Sequence, residues 1–142
     1  MQVLFDCLPR DSSGPVGFSS KVSVSYDAAE YEVIKFDNVL SNLGGHYNSD
    51  TFSFVCPDQG MYLFSVTICT HEDSLWFRLY KNSDVLSYGI ANDDSTDADC
   101  SSPTVITECE AGDIVWVMNQ HAAYIYATYK APVFSGALLH RY

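Results

Sequence analysis

The sequence predicts an all-β sandwich or barrel, and three observations support this fold class. Apolar and polar residues alternate along short runs; the clearest has Tyr62, Phe64, Val66 and Ile68 on one face. Turn residues separate the runs about every 8–12 residues, as is typical of sandwiches and barrels. No segment shows sustained 3.6-residue periodicity with helix caps, so helices are not expected.

The predicted elements follow one another along the chain without an internal linker. Phe18, Val22, Val24 and Tyr26 are predicted to share one face of the first strand. Later strands are predicted around Phe52, Phe54 and Cys56, over 61–68, around Leu75, Phe77 and Leu79, and over 104–109, 113–118, 123–128 and 133–140. Residues 1–16 are predicted to be an irregular N-terminal arm, and 17–142 a single domain.

The charge of the chain narrows the classes of partner. Its 142 residues contain 18 Asp and Glu against 7 Lys and Arg, a formal net charge of -11. A surface of this sign repels phosphate backbones, so nucleic acid is not an expected partner. No apolar stretch approaches the roughly 20 residues of a membrane helix, so membrane insertion is not expected either. Cations, basic peptides and neutral ligands such as sugars suit the composition.

The five cysteines match neither a zinc site nor a redox motif. There is no CxxC pair, and no histidine stands at ligand spacing from a cysteine pair. Two disulfides at most are possible, with one thiol left over, and Cys7 is a candidate for an interchain bond or a free thiol. Alternatively, Cys56 and Cys69 are buried thiols in strands. The sequence leaves these alternatives open.

Several common catalytic motifs are absent from the sequence. His71-Glu72 is followed by Leu75 where a metalloprotease would have its second histidine. There is no nucleophile elbow and no glycine loop that could hold a phosphate. We therefore expect a binding protein rather than an enzyme.

An acidic segment over residues 92–99 is a candidate metal site. Asp93, Asp94, Asp97 and Asp99 place four carboxylates within seven residues, and such hard oxygen ligands suit calcium. The segment is not an EF-hand, because Ala98 replaces the required glycine. It is interpreted either as a calcium site, with Asp93 and Asp99 as the main ligands, or as a solvated acidic loop.

A second candidate site follows the strand that ends near Met118. Here an amide pair, a histidine and two tyrosines stand close together: Asn119, Gln120, His121, Tyr124 and Tyr126. Aromatic rings beside amides can hold a sugar, because the ring stacks on it and the amides bind its hydroxyls. The alternation of the two tyrosines equally suits a strand packed on its neighbour.

Several blocks in order resemble the globular domain of the C1q family, a relative of the tumour necrosis factor jelly rolls. They are Gly17-Phe18-Ser19, residues 34–42, residues 45–48, Phe54 to Ser65 with Cys56-Pro57 and Gly60, Leu79 to Asn82, Ala111 to Val117 with Gly112-Asp113, and Phe134 to Leu139. The chain lacks the collagen-like segment that many members carry, and Cys69 is not a familiar family cysteine.

The resemblance implies a ten-stranded, homotrimeric jelly-roll sandwich that is secreted and has no catalytic activity. In several members an aspartate before the Gly-Asp turn binds calcium at the trimer apex, and Asp99 is similarly placed, with Asp93 a second ligand. Free-standing invertebrate members act as lectin-like immune receptors. We therefore expect recognition of microbial or glycan ligands, with protein partners a further option; the alternative is a calcium-binding protein of the extracellular matrix or of biominerals.

Overall fold

The computed structural model describes residues 14–71, 74–91, 98–128 and 131–142. In these ranges the chain forms β-strands and no helix, and hence no helix that could cross a membrane. The strands are β1 (Gly17–Lys21), β2 (Tyr26–Ala28), β3 (Asn38–Leu43), β4 (Tyr47–Asn48), β5 (Ser53–Val55), β6 (Gly60–Thr70), β7 (Leu75–Lys81), β8 (Asp84–Ala91), β9 (Asp99–Ser101), β10 (Thr104–Cys109), β11 (Ile114–Asn119), β12 (Ala123–Ile125) and β13 (Val133–Arg141).

Two antiparallel sheets form the body of the domain. The first sheet has the order β10-β6-β13-β1-β3, and β9 pairs with the far end of β6. The second sheet has the order β4-β5-β11-β7-β8, and β2 and β12 form a separate ribbon. The predicted all-β jelly-roll sandwich is confirmed. Because β9 pairs with β6, the two sheets contain eleven of the described strands rather than the predicted ten, and β2 and β12 form the ribbon.

The core lies between the two sheets and is filled by alternate residues of their strands. Phe18 lies at its centre, with ring centroids 4.7 Å from Tyr47 and 4.8 Å from both Phe54 and Phe134. Burying a side chain of this size stabilises the fold by roughly 1.5–3 kcal/mol. The two-residue alternation that predicted the strands is therefore the pattern that fills the core.

The predicted first strand is wrong in its length. β1 ends at Lys21, Val24 is 70% exposed, and Tyr26 begins β2, which pairs with β12 instead. The cause is Asp37, whose carboxylate accepts hydrogen bonds from the Ser23 amide (3.0 Å) and hydroxyl (2.6 Å) and bends the chain away from the sheet. Partial burial acts to raise the pKa of Asp37, but these bonds hold it below its ordinary value.

The sandwich has two distinct ends, called here the base and the top. At the base, Gly60 pairs with Cys109 on one side and Arg141 on the other. Arg141 also donates to the Gly14 carbonyl (3.0 Å) and pairs with Asp58 (3.1 Å), so both ends of the described chain lie at the base. The top holds the start of β7, the end of β11 and the paired ends of β6 and β9.

The cysteines fall into two different environments. Cys69 and Cys100 face each other across β6 and β9 and form a disulfide at the top. Cys56 and Cys109 are free thiols buried at the base. The interpretation of Cys69 as a free thiol is therefore wrong, whereas Cys56 is a buried thiol; Cys7 lies outside the described residues.

Candidate functional site

Trp76 is the central side chain of the top of the second sheet. In β7, Leu75, Phe77 and Leu79 are fully buried in the core. Because side chains alternate along a strand, Trp76 and Arg78 point to the outer face of the sheet. An indole is thus presented at the surface by a strand whose other face is fixed in the core.

The loop after β11 is anchored to Trp76 and to the segment near Glu32. The Gln120 amide donates to the Trp76 carbonyl (2.7 Å), and the Asn119 amide to the Glu32 carbonyl (2.9 Å). The Asn119 side chain is fully buried and donates to the carbonyls of Ala29 (2.9 Å) and His121 (2.6 Å). Asn119 therefore positions the loop from within, and Gln120 and His121 form its outer part.

Two surface cavities meet at Trp76 and His121, whose rings pack edge to face with centroids 5.5 Å apart. The first, of about 400 Å³, is lined by Asp27, Ala28, Ser74, Trp76, His121, Ala122, Ala123 and Tyr124. The second, of about 290 Å³, is lined by Tyr31, Trp76, Phe77, Arg78, Tyr88, Gln120 and His121. We call the two together the top cavities.

Backbone conformation places one tyrosine at the rim of the second cavity. Tyr31 has a φ of 62°, in the left-handed region that non-glycine residues seldom adopt, and its amide donates to the Asn119 carbonyl (2.8 Å). Its side chain is 65% exposed, and that of Tyr88 across the cavity is 67% exposed. Strained backbone of this kind is often found at binding sites.

The β2–β12 ribbon supports the first cavity. Tyr124 pairs directly with Asp27, which brings a phenol and a carboxylate to one side of the cavity. Tyr126 packs against Tyr124 with ring centroids 4.8 Å apart and donates to the His71 carbonyl (2.9 Å). At the other end of the ribbon, burial raises the pKa of Tyr26 to about 12.

Charge around the top cavities is mainly negative. The His121 imidazole lies 3.9 Å from the carboxylate of Glu30, and both side chains are more than half exposed. Asp27 lines the first cavity, and Arg78 places a positive charge in the second. The two cavities thus combine aromatic walls with negatively and positively charged side chains that can form hydrogen bonds.

The predicted metal ligands are placed by the structure only in part. Asp99 begins β9 next to the disulfide, is exposed, and accepts a hydrogen bond from the Cys100 amide (2.9 Å). Asp93, Asp94 and Asp97 lie outside the described residues. Among the described residues there is no group of three or more His, Cys, Asp or Glu side chains that could hold a metal ion.

A third cavity, of about 330 Å³, opens at the base. It is lined by Gln59, Lys81, Asn82, Asp84, Glu108, Cys109, Glu110 and Asp113. Asp113 accepts hydrogen bonds from the Glu110 amide (2.8 Å) and the Asn82 side chain (3.0 Å). Partial burial acts to raise the pKa of Asp113, but these bonds and the nearby Lys81 charge hold it below its ordinary value.

The sequence indicated only part of the top cavities. It singled out Gln120, His121 and Tyr124, which the structure brings to them, and Asn119 and Tyr126, which bind the surrounding backbone. It missed Trp76, Asp27, Tyr31 and Tyr88. Trp76 had a detectable signal, because a tryptophan between Leu75 and Phe77 occupies an outward position of an alternating strand.

Comparison with known proteins shows a clear match. The C1q domain family matches residues 17–139. The Heavy metal-binding protein HIP of Mytilus edulis is 34% identical over 112 residues, which cover 77% of this chain and 53% of that protein. Complement C1q tumor necrosis factor-related protein 2 of Mus musculus is 31% identical over 140 residues, covering 94% of this chain and 46% of that protein. The chain thus spans about half the length of these relatives.

A solved structure supports the fold independently. The globular domain of zebrafish complement 1qA superimposes with a TM-score of 0.76 at 20% identity, covering 90% of this chain and 99% of that one. At this level of identity the likeness concerns the fold alone.

Proposed function

Because the chain belongs to the C1q domain family, we propose that it is a secreted, non-enzymatic recognition protein of the innate-immune, lectin-like kind. Its top cavities would bind carbohydrate on microbial surfaces. The observation that carries this proposal is the position of Trp76, which forms a wall shared by both cavities and stands beside amide, hydroxyl and carboxylate groups.

The chemistry of the top cavities suits a neutral sugar. A sugar ring has an apolar face that packs on an aromatic ring and a rim of hydroxyls that need hydrogen-bond partners. Trp76 provides the aromatic surface. Asp27 and Tyr124 in one cavity and Gln120 in the other provide partners for hydroxyls. The acidic surface of the domain disfavours anionic ligands.

The outer face of the first sheet supports the proposal of a homotrimer. Two rows of paired residues without a charged side chain cross the five strands from β10 to β3. The apolar row consists of Ile106, Leu63, Ala137, Gly17 and Leu43. The hydroxyl row consists of Thr104, Ser65, Ser135, Ser19 and Ser41. Ile106 is 58% and Leu43 55% exposed in the single chain. In a chain with a net charge of -11, two adjacent uncharged rows of this length suit contact with further copies.

Substitution of Leu63 by aspartate tests the trimer. Leu63 pairs with Ile106 and Ala137 at the middle of the apolar row, so we expect three carboxylates at the contact to separate the subunits. Sedimentation equilibrium should give the mass of three chains for the wild type and of one chain for L63D. The control is V85D, which changes an exposed valine on the second sheet. A monomeric wild type would contradict the proposal.

The second candidate function is metal binding. The Mytilus edulis relative is described as a heavy metal-binding protein, and the segment with Asp93, Asp94, Asp97 and Asp99 offers hard ligands for calcium. This favours the alternative of a calcium-binding protein of matrix or biomineral. The two functions are compatible if calcium contributes to ligand binding at the top.

The recognition proposal is tested by W76A on a glycan and bacterial-polysaccharide array, run in calcium and in chelator. We expect reproducible binding by the wild type. Loss of the aromatic wall should weaken binding about tenfold or more for each site, because stacking and burial of a ring contribute at least about 1.4 kcal/mol. Three sites on one trimer would amplify this difference on a dense array.

The matched control is W116A, since Trp116 is also on the outer face of the second sheet but stacks on Tyr80, with centroids 4.6 Å apart and away from the cavities. Both variants should keep the wild-type melting temperature within a few degrees. An array without binding by folded protein, or equal loss in both variants, would overturn the recognition proposal. Binding that disappears in chelator would assign calcium a part in it, and D99A then locates the ion.

A further inference from the structure

The buried thiols of Cys56 and Cys109 form a pair that joins the two sheets at the base. Cys56 follows β5 of the second sheet and Cys109 ends β10 of the first; their exposed fractions are 0% and 1%. Both side chains belong to the same buried core cluster. The strand ends that carry the two thiols meet at the base, because Cys56 pairs through its backbone with the turn that follows Cys109, although 53 positions separate the two cysteines in the sequence (109 minus 56).

The backbone around the thiol pair is fixed from both sides. The Cys56 amide donates to the Asp113 carbonyl (2.8 Å), and the Cys56 carbonyl accepts from the Gly112 amide (2.8 Å). Cys109 pairs with Gly60 across β10 and β6. The relative position of the two sulfur atoms is thus set by the sheets rather than by a free loop.

The base cavity leads from solvent to Cys109, one member of the pair. Cys109 lies in its wall together with four carboxylates, those of Asp84, Glu108, Glu110 and Asp113. The one lysine of the wall, Lys81, is held by its hydrogen bond to the Glu108 carbonyl (2.9 Å). A cleft lined mainly by one sign of charge raises the local concentration of the opposite ion, so cations are drawn toward the thiols.

We propose that Cys56 and Cys109 form a two-coordinate site for a soft d10 metal ion, which reaches them through the base cavity. Thiolate ligands select soft metal ions over magnesium and calcium. A structural zinc site needs four ligands, and the described residues provide no group of three. Two sulfur ligands suit ions that favour linear coordination, such as mercuric or cuprous ions.

Charge balance favours a divalent ion. When a divalent ion binds, two metal–sulfur bonds form, two S–H bonds break and two protons leave to solvent, with no change of oxidation state. The product is neutral, which suits a buried site where an uncompensated charge would be costly. The site is separate from the top cavities, so its test does not depend on carbohydrate binding.

The test titrates the C7S variant with mercuric chloride under non-reducing conditions, so that the thiol outside the described residues is removed. We expect one mercuric ion per chain, simultaneous loss of both reactive thiols, sulfur-to-mercury absorption in the near ultraviolet, and release of two protons. Calcium added in excess should not compete. The affinity of C7S/C56A and of C7S/C109A should fall at least about a hundredfold, because each retains one of the two sulfur ligands.

The control and the outcomes that would contradict the proposal are measured in the same titration. The matched control is C7S/S87A, a small change on β8 away from the base, which should bind as C7S does. Two mercuric ions per chain, or full affinity in either cysteine variant, would overturn the proposal because the thiols would then act separately. The native mass of the chain should correspond to one disulfide. A native mass lower than this by two further hydrogens would also overturn the proposal, because Cys56 and Cys109 would then form a second disulfide. Thermal unfolding of each variant verifies that it is folded.

Discussion

Substitution of Gly60 by alanine is expected to destabilise the domain by about 3 kcal/mol or more, lowering the melting temperature by about 10 °C. Gly60 begins β6 and is paired on both sides, with Cys109 and with Arg141. A Cβ atom at this position would lie 2.3 Å from the His140 carbonyl oxygen and 2.9 Å from a methyl carbon of Leu138. The nearer atom is backbone within a sheet, so it cannot move aside without loss of strand pairing.

The control for G60A is G14A, because a Cβ at Gly14 meets nothing within 4 Å. Thermal and urea unfolding should be compared at one fixed protein concentration, since subunit association would otherwise shift the midpoint. G14A should unfold as the wild type does. If G60A unfolded within 1 °C of G14A, the close approach of β13 to Gly60 would be refuted.

Removal of the Cys69–Cys100 disulfide is expected to have the second large effect on the free energy of unfolding. The bond closes a loop with a sequence separation of 31, for which the chain-entropy relation gives about 3–4 kcal/mol of stabilisation. The double variant C69A/C100A should therefore have a free energy of unfolding lower by about this amount. It should also lose protection of the amides of β9, since that three-residue strand pairs only with the end of β6 among the described strands.

Urea unfolding followed by circular dichroism measures the free energy, and hydrogen exchange measures the protection of β9. C7S is the control, because it removes a cysteine that does not take part in this disulfide. Wild-type protein treated with reductant should approach the double variant. A double variant within 0.5 kcal/mol of C7S, roughly the range of surface substitutions, would show that the bond contributes no loop-closure stabilisation.

The fold could be predicted because its strands alternate cleanly. β6 buries every second residue from Gly60 to Ile68, and β7 does so from Leu75 to Leu79. Phe54 to Ser65 keeps the order of a strand, a turn and a strand. The error at Val24 arose from a long-range event: the carboxylate of Asp37, 14 residues away from Ser23, bends the chain. Local alternation holds no information on such a contact.

The top cavities were predictable only where their residues are contiguous. His121 and Tyr124 stand together in the sequence, so their combination was visible. Trp76, Tyr31 and Tyr88 come from three other segments and meet through strand pairing and one unusual backbone conformation. The thiol pair is a similar case, since nothing in the spacing of Cys56 and Cys109 indicates that their strand ends meet.

The position of the two ends of the described part of the chain decides how the domain can be presented. Gly14 and Arg141 are joined by a hydrogen bond at the base, while Trp76 and His121 lie at the top, at the far ends of the strands. A tether attached before Gly14 or after Tyr142 therefore directs the top cavities away from whatever holds it. Three domains joined side by side through the first sheet would then display their cavities in one plane, facing a large surface rather than one another.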